Sequence, residues 1–121
     1  MDKRILVVDD EESIRFVFSE MISFIGFDVD VAENGDKALN YFLKSKFDLV
    51  LTDLNMPGMD GWTLASHIKA ISPETPVILV TGEERKQVLE KMEDSSVDSI
   101  LLKPFRLQDV QEIFQKMLVR Y

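Results

Sequence analysis

Ile5-Leu6-Val7-Val8-Asp9-Asp10 is the stretch from which the rest of this chain is read. Four apolar residues with no polar break suit a short strand covered by helices on both faces, as strands of parallel sheets are. The two acids come at once, at the strand's carboxyl end. Downstream, Ile14, Val17, Phe18, Met21, Ile22 and Ile25 recur at helical spacing, and Gly26 stops that helix. Phe27-Asp28-Val29-Asp30-Val31 alternates apolar with polar, the pattern of a half-buried edge strand. Asn34-Gly35 then turns the chain into a second helix carrying Ala38, Leu39, Phe42 and Leu43.

Phe47 to Leu51 predicts a third strand that runs out at Thr52-Asp53, with Asp48 its one polar residue. The turn formers of Asn55-Met56-Pro57-Gly58-Met59-Asp60-Gly61 make a loop, and Asp60 is placed to cap a helix reaching Ile71. Val77 to Val80 is a fourth strand, introduced by Pro76 and ending at Thr81. A charged helix follows from Glu83 to Glu93, apolar only at Val88, Leu89 and Met92. Ile100-Leu101-Leu102 is a fifth strand, ending at Lys103-Pro104. The last helix sets Leu107, Val110, Ile113, Phe114, Met117 and Leu118 on one stripe.

Strand and helix alternate throughout, which predicts an α/β fold: a doubly wound parallel sheet with helices on both faces. Right-handed crossovers leave few topologies. The alternating second strand belongs at an edge and the apolar first and third inside, giving the flavodoxin-like order 2-1-3-4-5. At 121 residues the chain is expected to be one domain, residues 1–121.

Composition narrows the function classes. A net charge of −8 argues against a sequence-independent grip on nucleic acid, which needs Lys and Arg in excess. The absence of cysteine excludes disulfides, thiolate metal sites and a cysteine nucleophile. No apolar run reaches the length of a signal peptide core or a membrane span, so a cytoplasmic protein without membrane contact is expected.

Ligands of such sheets bind beyond the carboxyl ends of the strands, at the switch point between strands one and three. Those ends carry Asp9 and Asp10, then Asp53, Thr81 and Lys103, whereas the far edge strand ends in Val31-Ala32. Close carboxylates repel by up to about 4 kcal/mol per pair at a surface-like dielectric, so the cluster makes sense around a cation. Oxygen donors without His or Cys point to Mg²⁺ or Mn²⁺. Lys103 and the Thr81 hydroxyl supply a charge and a hydrogen bond for phosphoryl oxygens. An aspartate can itself be the nucleophile.

The motifs Val7-Val8-Asp9-Asp10-Glu11, Thr52-Asp53 through Gly61, Thr81-Gly82 and Lys103-Pro104-Phe105 resemble those of two-component response-regulator receiver domains. The likeness covers essentially the whole chain, and the chain is similar to the chemotaxis-type single-domain regulators. It implies that Asp53 is the phosphoacceptor and that Asp10 and Asp53 ligate Mg²⁺. It further implies that Asp9 acts through water, that the Asn55 backbone carbonyl completes the metal site, and that Lys103-Pro104 is cis. Thr81 and Lys103 resemble the family's switch hydroxyl and phosphate-pairing lysine. A histidine kinase or a small phosphodonor would supply the phosphoryl group. The fourth helix, fifth strand and fifth helix would carry the response to an unknown downstream protein or output domain. Ile100 departs from the pattern, because the family often places Tyr or Phe there. Asn55 and Glu83 occupy positions that tune phosphate lifetime in the family.

Three other functions compete. A phosphatase with an aspartyl-phosphate intermediate needs a second acid two residues after its nucleophile, where this chain has Asn55. A flavin protein needs a phosphate cradle after the first strand, where Asp9-Asp10-Glu11-Glu12 stands instead. A receiver that works without phosphorylation stays open at Ile100, as does the choice between a stand-alone regulator and part of a longer one. Taken singly, Asp9-Asp10 reads as a solvated helix cap, Thr81 as a strand residue and Lys103 as a surface lysine. His67 reads as structural or solvent-facing, Trp62 as a helix-start residue packed on the loop, and Phe16, Phe18 and Phe114 as packing. Glu83-Glu84-Arg85-Lys86 reads as a solvated helix face.

Overall fold

The computed structural model describes residues 3–118; Met1, Asp2 and residues 119–121, the two ends of the expected 1–121 domain, lie outside it. In chain order the elements are β1 (Arg4–Val8), α1 (Glu12–Ile25), β2 (Asp28–Ala32), α2 (Gly35–Lys44) and β3 (Leu49–Asp53). They continue as α3 (Gly61–Ile71), β4 (Val77–Thr81), α4 (Arg85–Met92), β5 (Ser99–Leu102) and α5 (Leu107–Leu118). All strand pairs are parallel, in the order β2-β1-β3-β4-β5. This is the flavodoxin-like arrangement that the alternating edge strand and apolar central strands predict.

The strands divide their side chains between two cores by simple alternation. Leu6, Val8, Val50, Val77 and Leu79 enter the core shared with Ala38 and Phe42 of α2, Leu64 and Ile68 of α3 and Val88 of α4. Ile5, Val7, Leu49, Leu51, Ile78, Val80 and Leu101 enter the other, with Phe18 and Ile22 of α1 and Val110, Ile113 and Phe114 of α5. The central strands have no polar face because neither face sees water.

Local chemistry sets the boundaries. Gly26 adopts φ 110° after α1, a left-handed conformation that costs a glycine little, and its N–H bonds the carbonyls of Ile22 and Ser23. Asn34 Oδ1 accepts from the Lys37 N–H and Asp60 Oδ1 from the Thr63 N–H, each capping its helix. β3 starts at Leu49, later than the expected Phe47. Asp48 lies before β3 rather than inside it, and its Oδ2 accepts the Arg4 N–H at 2.8 Å while its own N–H bonds the Arg4 carbonyl. Asp98 does the same for Val77 at the start of β4, at 2.8 Å, and also pairs with Lys69 at 2.6 Å. These acids tie off backbone groups where the ladder begins, which is why Asp48 interrupts an apolar run.

α4 is shorter than its charge pattern predicts, Arg85–Met92 instead of Glu83 to Glu93. Its first turn has no side-chain cap and Val88 is its single buried residue, so little holds the outer turns in place. Phe16 is 63% exposed, unlike Phe18 and Phe114, which are buried. Among the described residues no helix is long and apolar enough to cross a membrane.

Gly61, the first residue of α3, fastens the loop after β3: its N–H bonds the Leu54 carbonyl at 2.9 Å. An added Cβ there would lie 2.5 Å from the Asp53 carbonyl oxygen and 2.6 Å from Leu79 Cδ1. At Gly35 a Cβ would lie 2.6 Å from Sδ of half-exposed Met59, which can swing aside, and 3.0 Å from Met59 Cβ and Cγ, which need give by only a few tenths of an ångström. Gly61→Ala is therefore expected to destabilise by about 1–3 kcal/mol in urea unfolding. Gly35→Ala should stay within about 1 kcal/mol of wild type, because alanine's helix propensity offsets the small shift of Met59. Equal losses at the two positions would contradict this account.

Candidate functional site

Strand register and the period-two alternation bring the polar side chains together at one sheet edge. Val8 pairs with Thr52, so Asp9 emerges beside Asp53 on the neighbouring strand. Asp53 follows Leu49 and Leu51 by twos, and Asp9 follows Ile5 and Val7, so both lean toward the face covered by α1 and α5. Lys103 follows Leu101 in the same way, whereas Thr81 falls on the opposite face from Val80. The contacts obey that parity. Lys103 Nζ reaches Asp53 Oδ1 at 3.2 Å, while the Thr81 hydroxyl accepts from the Glu83 N–H at 3.0 Å.

One carboxylate oxygen from each of Asp9, Asp10 and Asp53 lies within 4.8 Å of the other two. At that spacing each ionised pair repels by on the order of 3 kcal/mol at a surface-like effective dielectric. Asp9 is 1% exposed and Asp53 8%, while Asp10 is open to solvent. The solvated-cap reading of Asp9 therefore does not hold. Asp9 Oδ1 accepts the Glu11 N–H at 2.9 Å, but Oδ2 is buried with no hydrogen-bond partner.

Protonation follows from this crowding. Burial pushes the Asp9 carboxyl up to about 6; the Glu11 N–H opposes the rise, Asp53 and Asp10 add to it, and Lys103 counters them. Burial also raises Asp53 above the usual carboxylate range, with the Lys103 hydrogen bond and charge holding it back. A donor set of carboxylate oxygens, one of them buried and unsatisfied, fits a hard divalent cation. The Lys103 amine is one positive charge against three negative ones.

The loops complete the rim. Asn55 is exposed, and its Nδ2 donates to Glu83 Oε2 at 2.9 Å, joining the β3–α3 loop to the β4–α4 loop. The Lys103–Pro104 peptide is cis. Asp9, Asp10, Asp53, Thr81 and Lys103 stand at this edge, and no hydrogen bond joins Thr81 to Asp53 among the described residues. Arg15 is a contact that the sequence reading missed: its Nη1 donates to the Asp9 backbone carbonyl at 2.8 Å. Trp62 packs against the core on its own face of the sheet, and Lys91 of α4 stands 5.1 Å from its ring centroid. Its neighbour is thus α4 as well as the loop.

A parallel sheet with acids, a hydroxyl and an amine gathered at its carboxyl edge is the framework of a phosphoacceptor module. Comparison with known proteins gives the same class. The family model described as response regulator receiver domain matches residues 5–115. Sensor histidine kinase RcsC of Escherichia coli strain K12 is 35% identical over 111 residues, which are 92% of this chain and 12% of the kinase. The chain thus corresponds to a small part of that protein. Sporulation initiation phosphotransferase F of Bacillus subtilis is 30% identical over 118 residues, covering 98% of this chain and 95% of that one. The response regulator TrrA of Thermotoga maritima, solved in complex with Mg²⁺ and BeF, is 34% identical with a TM-score of 0.84, covering 95% of this chain and 98% of TrrA. This chain belongs to the response-regulator receiver family and serves as a phosphoacceptor in two-component signalling. Receivers interact with histidine kinases and phosphotransferases, and bind Mg²⁺ in an acidic pocket.

The raised Asp9 carboxyl has a consequence for stability. The unfolded chain loses this proton near pH 3.8 and the folded chain near 6, so between these values the fold holds a proton that the unfolded chain has shed. Stability contributed by that proton is present below pH 3.8 and is lost as pH rises through about 6. In Mg²⁺-free buffer at neutral pH, Asp9→Asn should be the more stable protein by on the order of 2 kcal/mol. The gap should close near pH 4. Unfolding of both proteins across that range measures it, and an Asp9→Asn less stable at neutral pH would contradict the burial argument.

Proposed function

We propose that Asp53 takes the phosphoryl group and that Asp9, Asp10, Asp53 and the Asn55 backbone carbonyl form the seat of Mg²⁺, with Mn²⁺ as a substitute. The observation that carries this reading is the convergence of three carboxylates with oxygens within 4.8 Å, together with a buried, unpartnered oxygen on one of them, Asp9. Bound there, the cation would supply the positive charge that lets a phosphoryl group enter an acidic pocket. Asp53 is held at a strand end, so its carboxylate is oriented before the donor arrives. Its oxygen attacks phosphorus, and the bond from phosphorus to the donor nitrogen or oxygen breaks, leaving an acyl phosphate on Asp53. Lys103 already rests on Asp53 and can pass to the new oxygens. The Thr81 hydroxyl accepts from Glu83, which leaves its own proton for a phosphoryl oxygen.

The donor is a histidine kinase, with small acyl phosphates as substitutes, and the exchange takes place in the cytoplasm. Asn55 offers no acid or base beside Asp53, which favours a lasting acyl phosphate over turnover of outside esters. Catalysis is confined to the chain's own phosphoryl transfer and to its dephosphorylation, in which water takes the phosphoryl group and the Asp53 carboxylate is released. The new charge draws Thr81 and its loop inward and shifts the population of the α4–β5–α5 face toward a second arrangement read by a downstream partner. Support for that part lies in α4, a short helix anchored by one buried side chain just past Thr81. Ile100 is half-buried against the same core, so the response runs through α4 and its loop rather than through an aromatic ring.

Two measurements test these statements. With acetyl phosphate and Mg²⁺, the intact mass of wild type should rise by one phosphoryl group, and that of Asp53→Asn should not. A gain without a divalent cation, or one retained in the variant, would remove Asp53 from its role. Trp62 is the sole tryptophan, so its emission reports on Lys91 above it. Beryllofluoride with Mg²⁺ should change that emission in wild type, with a clearly smaller change in Lys91→Ala. An identical change in both proteins would mean that α4 does not move against Trp62.

A further inference from the structure

Arg15 lies in the first turn of α1, where the helix dipole favours acids and disfavours a cation. Glu11 and Glu12 adjoin in sequence, and Glu33 is near enough for the Arg15 charge to act on its carboxyl. The guanidinium nevertheless donates to a neutral group, the Asp9 backbone carbonyl, at 2.8 Å. That carbonyl needs a partner, because the β1 ladder ends at Val8, paired with Ala32 on one side and Thr52 on the other.

The other polar groups of Asp9 are also placed. Its N–H bonds the Ala32 carbonyl at 3.1 Å, and Oδ1 accepts from Glu11 at 2.9 Å. Oδ2 alone has no partner and belongs to the acid cluster. The carbonyl held by Arg15 also lies in the peptide plane that joins Asp9 to Asp10. Fixing that plane fixes the direction in which both carboxylates leave the backbone.

We propose that Arg15 is a positioning residue for the cation seat: by clamping the Asp9–Asp10 peptide from α1, it sets the spacing of two of the three acids. It never touches the cation or the phosphoryl group. The inference rests on the Mg²⁺ reading above and adds a role for a residue outside the acid, hydroxyl and lysine set.

The test uses the full chain. Mg²⁺ binding is measured by calorimetry on wild type, Asp10→Asn, Arg15→Gln and Arg15→Lys, with melting temperature followed for each. Amide exchange of Glu11 is read by NMR without metal. Arg15→Gln should bind Mg²⁺ about tenfold more weakly, the usual cost of losing a partner that orients a ligand. Arg15→Lys, which keeps a donor, should lose less. The Glu11 amide, held by Asp9 Oδ1, should lose protection in Arg15→Gln before any metal is added. A purely structural role would lower the melting temperature and leave Mg²⁺ affinity and Glu11 protection at wild-type values, and that result overturns the proposal. Should Arg15→Gln fail to fold, Arg15→Lys decides by the same two readouts. If wild type itself binds no Mg²⁺, the cation reading fails, and the Glu11 amide alone decides whether Arg15 orders Asp9.

Discussion

Carboxylates forced together at the end of a sheet repel, and the fold of this chain holds three of them within 4.8 Å all the same. The repulsion is tolerated because the acids do not choose their places. Register seats Asp9 beside Asp53, and the ladders on either side leave no freedom to slide. Relief comes from Lys103 on Asp53, from the Glu11 N–H on Asp9, and from a raised Asp9 carboxyl. Those measures leave Asp9 Oδ2 buried and unsatisfied. A site poised in this way gains more from a cation than a relaxed one would, since binding removes a cost already built into the fold.

The two cores give that crowding its rigid backing. A sheet with leucine, isoleucine and valine on both faces cannot bend one strand end away without disturbing packing on each side. Gly61 tightens the arrangement by bringing the start of α3 against the Asp53 carbonyl. Asp48 and Asp98 fasten the opposite ends of the strands by pairing with Arg4 and Val77. Acids therefore serve two purposes in this sheet. Those at strand starts satisfy backbone N–H groups and are structurally quiet, and those at strand ends are left wanting a partner.

Most of this is legible in the residues themselves, for physical reasons. Ile5 to Val8 and Val77 to Val80 can only be strands buried on both faces, and alternation in Asp28 to Val31 puts that segment at an edge. Asp9, Asp10, Asp53, Thr81 and Lys103 can then be gathered by topology alone. What topology does not disclose is side-chain direction. Strand parity separates Thr81 from Asp53 and joins Lys103 to it, and that becomes evident only once the register is known. Asp48 misleads because a polar residue in an apolar run looks like part of the strand, when its carboxylate is bonded to the Arg4 N–H at the start of the neighbouring strand. Arg15 is hidden because its partner is a backbone carbonyl, and no side-chain pattern marks a carbonyl that has lost its ladder. The length of α4 is misread because Glu83 and Glu84 suit a helix by their charge, whereas Glu83 is held in the loop instead, its N–H on the Thr81 hydroxyl and its carboxylate on Asn55.

In the proposed response, that weakness of α4 would let a local charge become a signal. The sheet is fixed on both faces, so a change at Asp53 cannot spread through the strands. It would pass instead along Thr81 and the loop holding Glu83, which is tied to Asn55 across the site. Beyond that loop α4 has one buried residue and an uncapped first turn. Moving such a helix needs a bias of only a few kcal/mol, the scale on which two-state populations invert. A few charge-assisted hydrogen bonds to a new phosphoryl group are of that size. A better-packed α4 would make a more stable protein and a poorer switch, because the same bias would then leave it where it is.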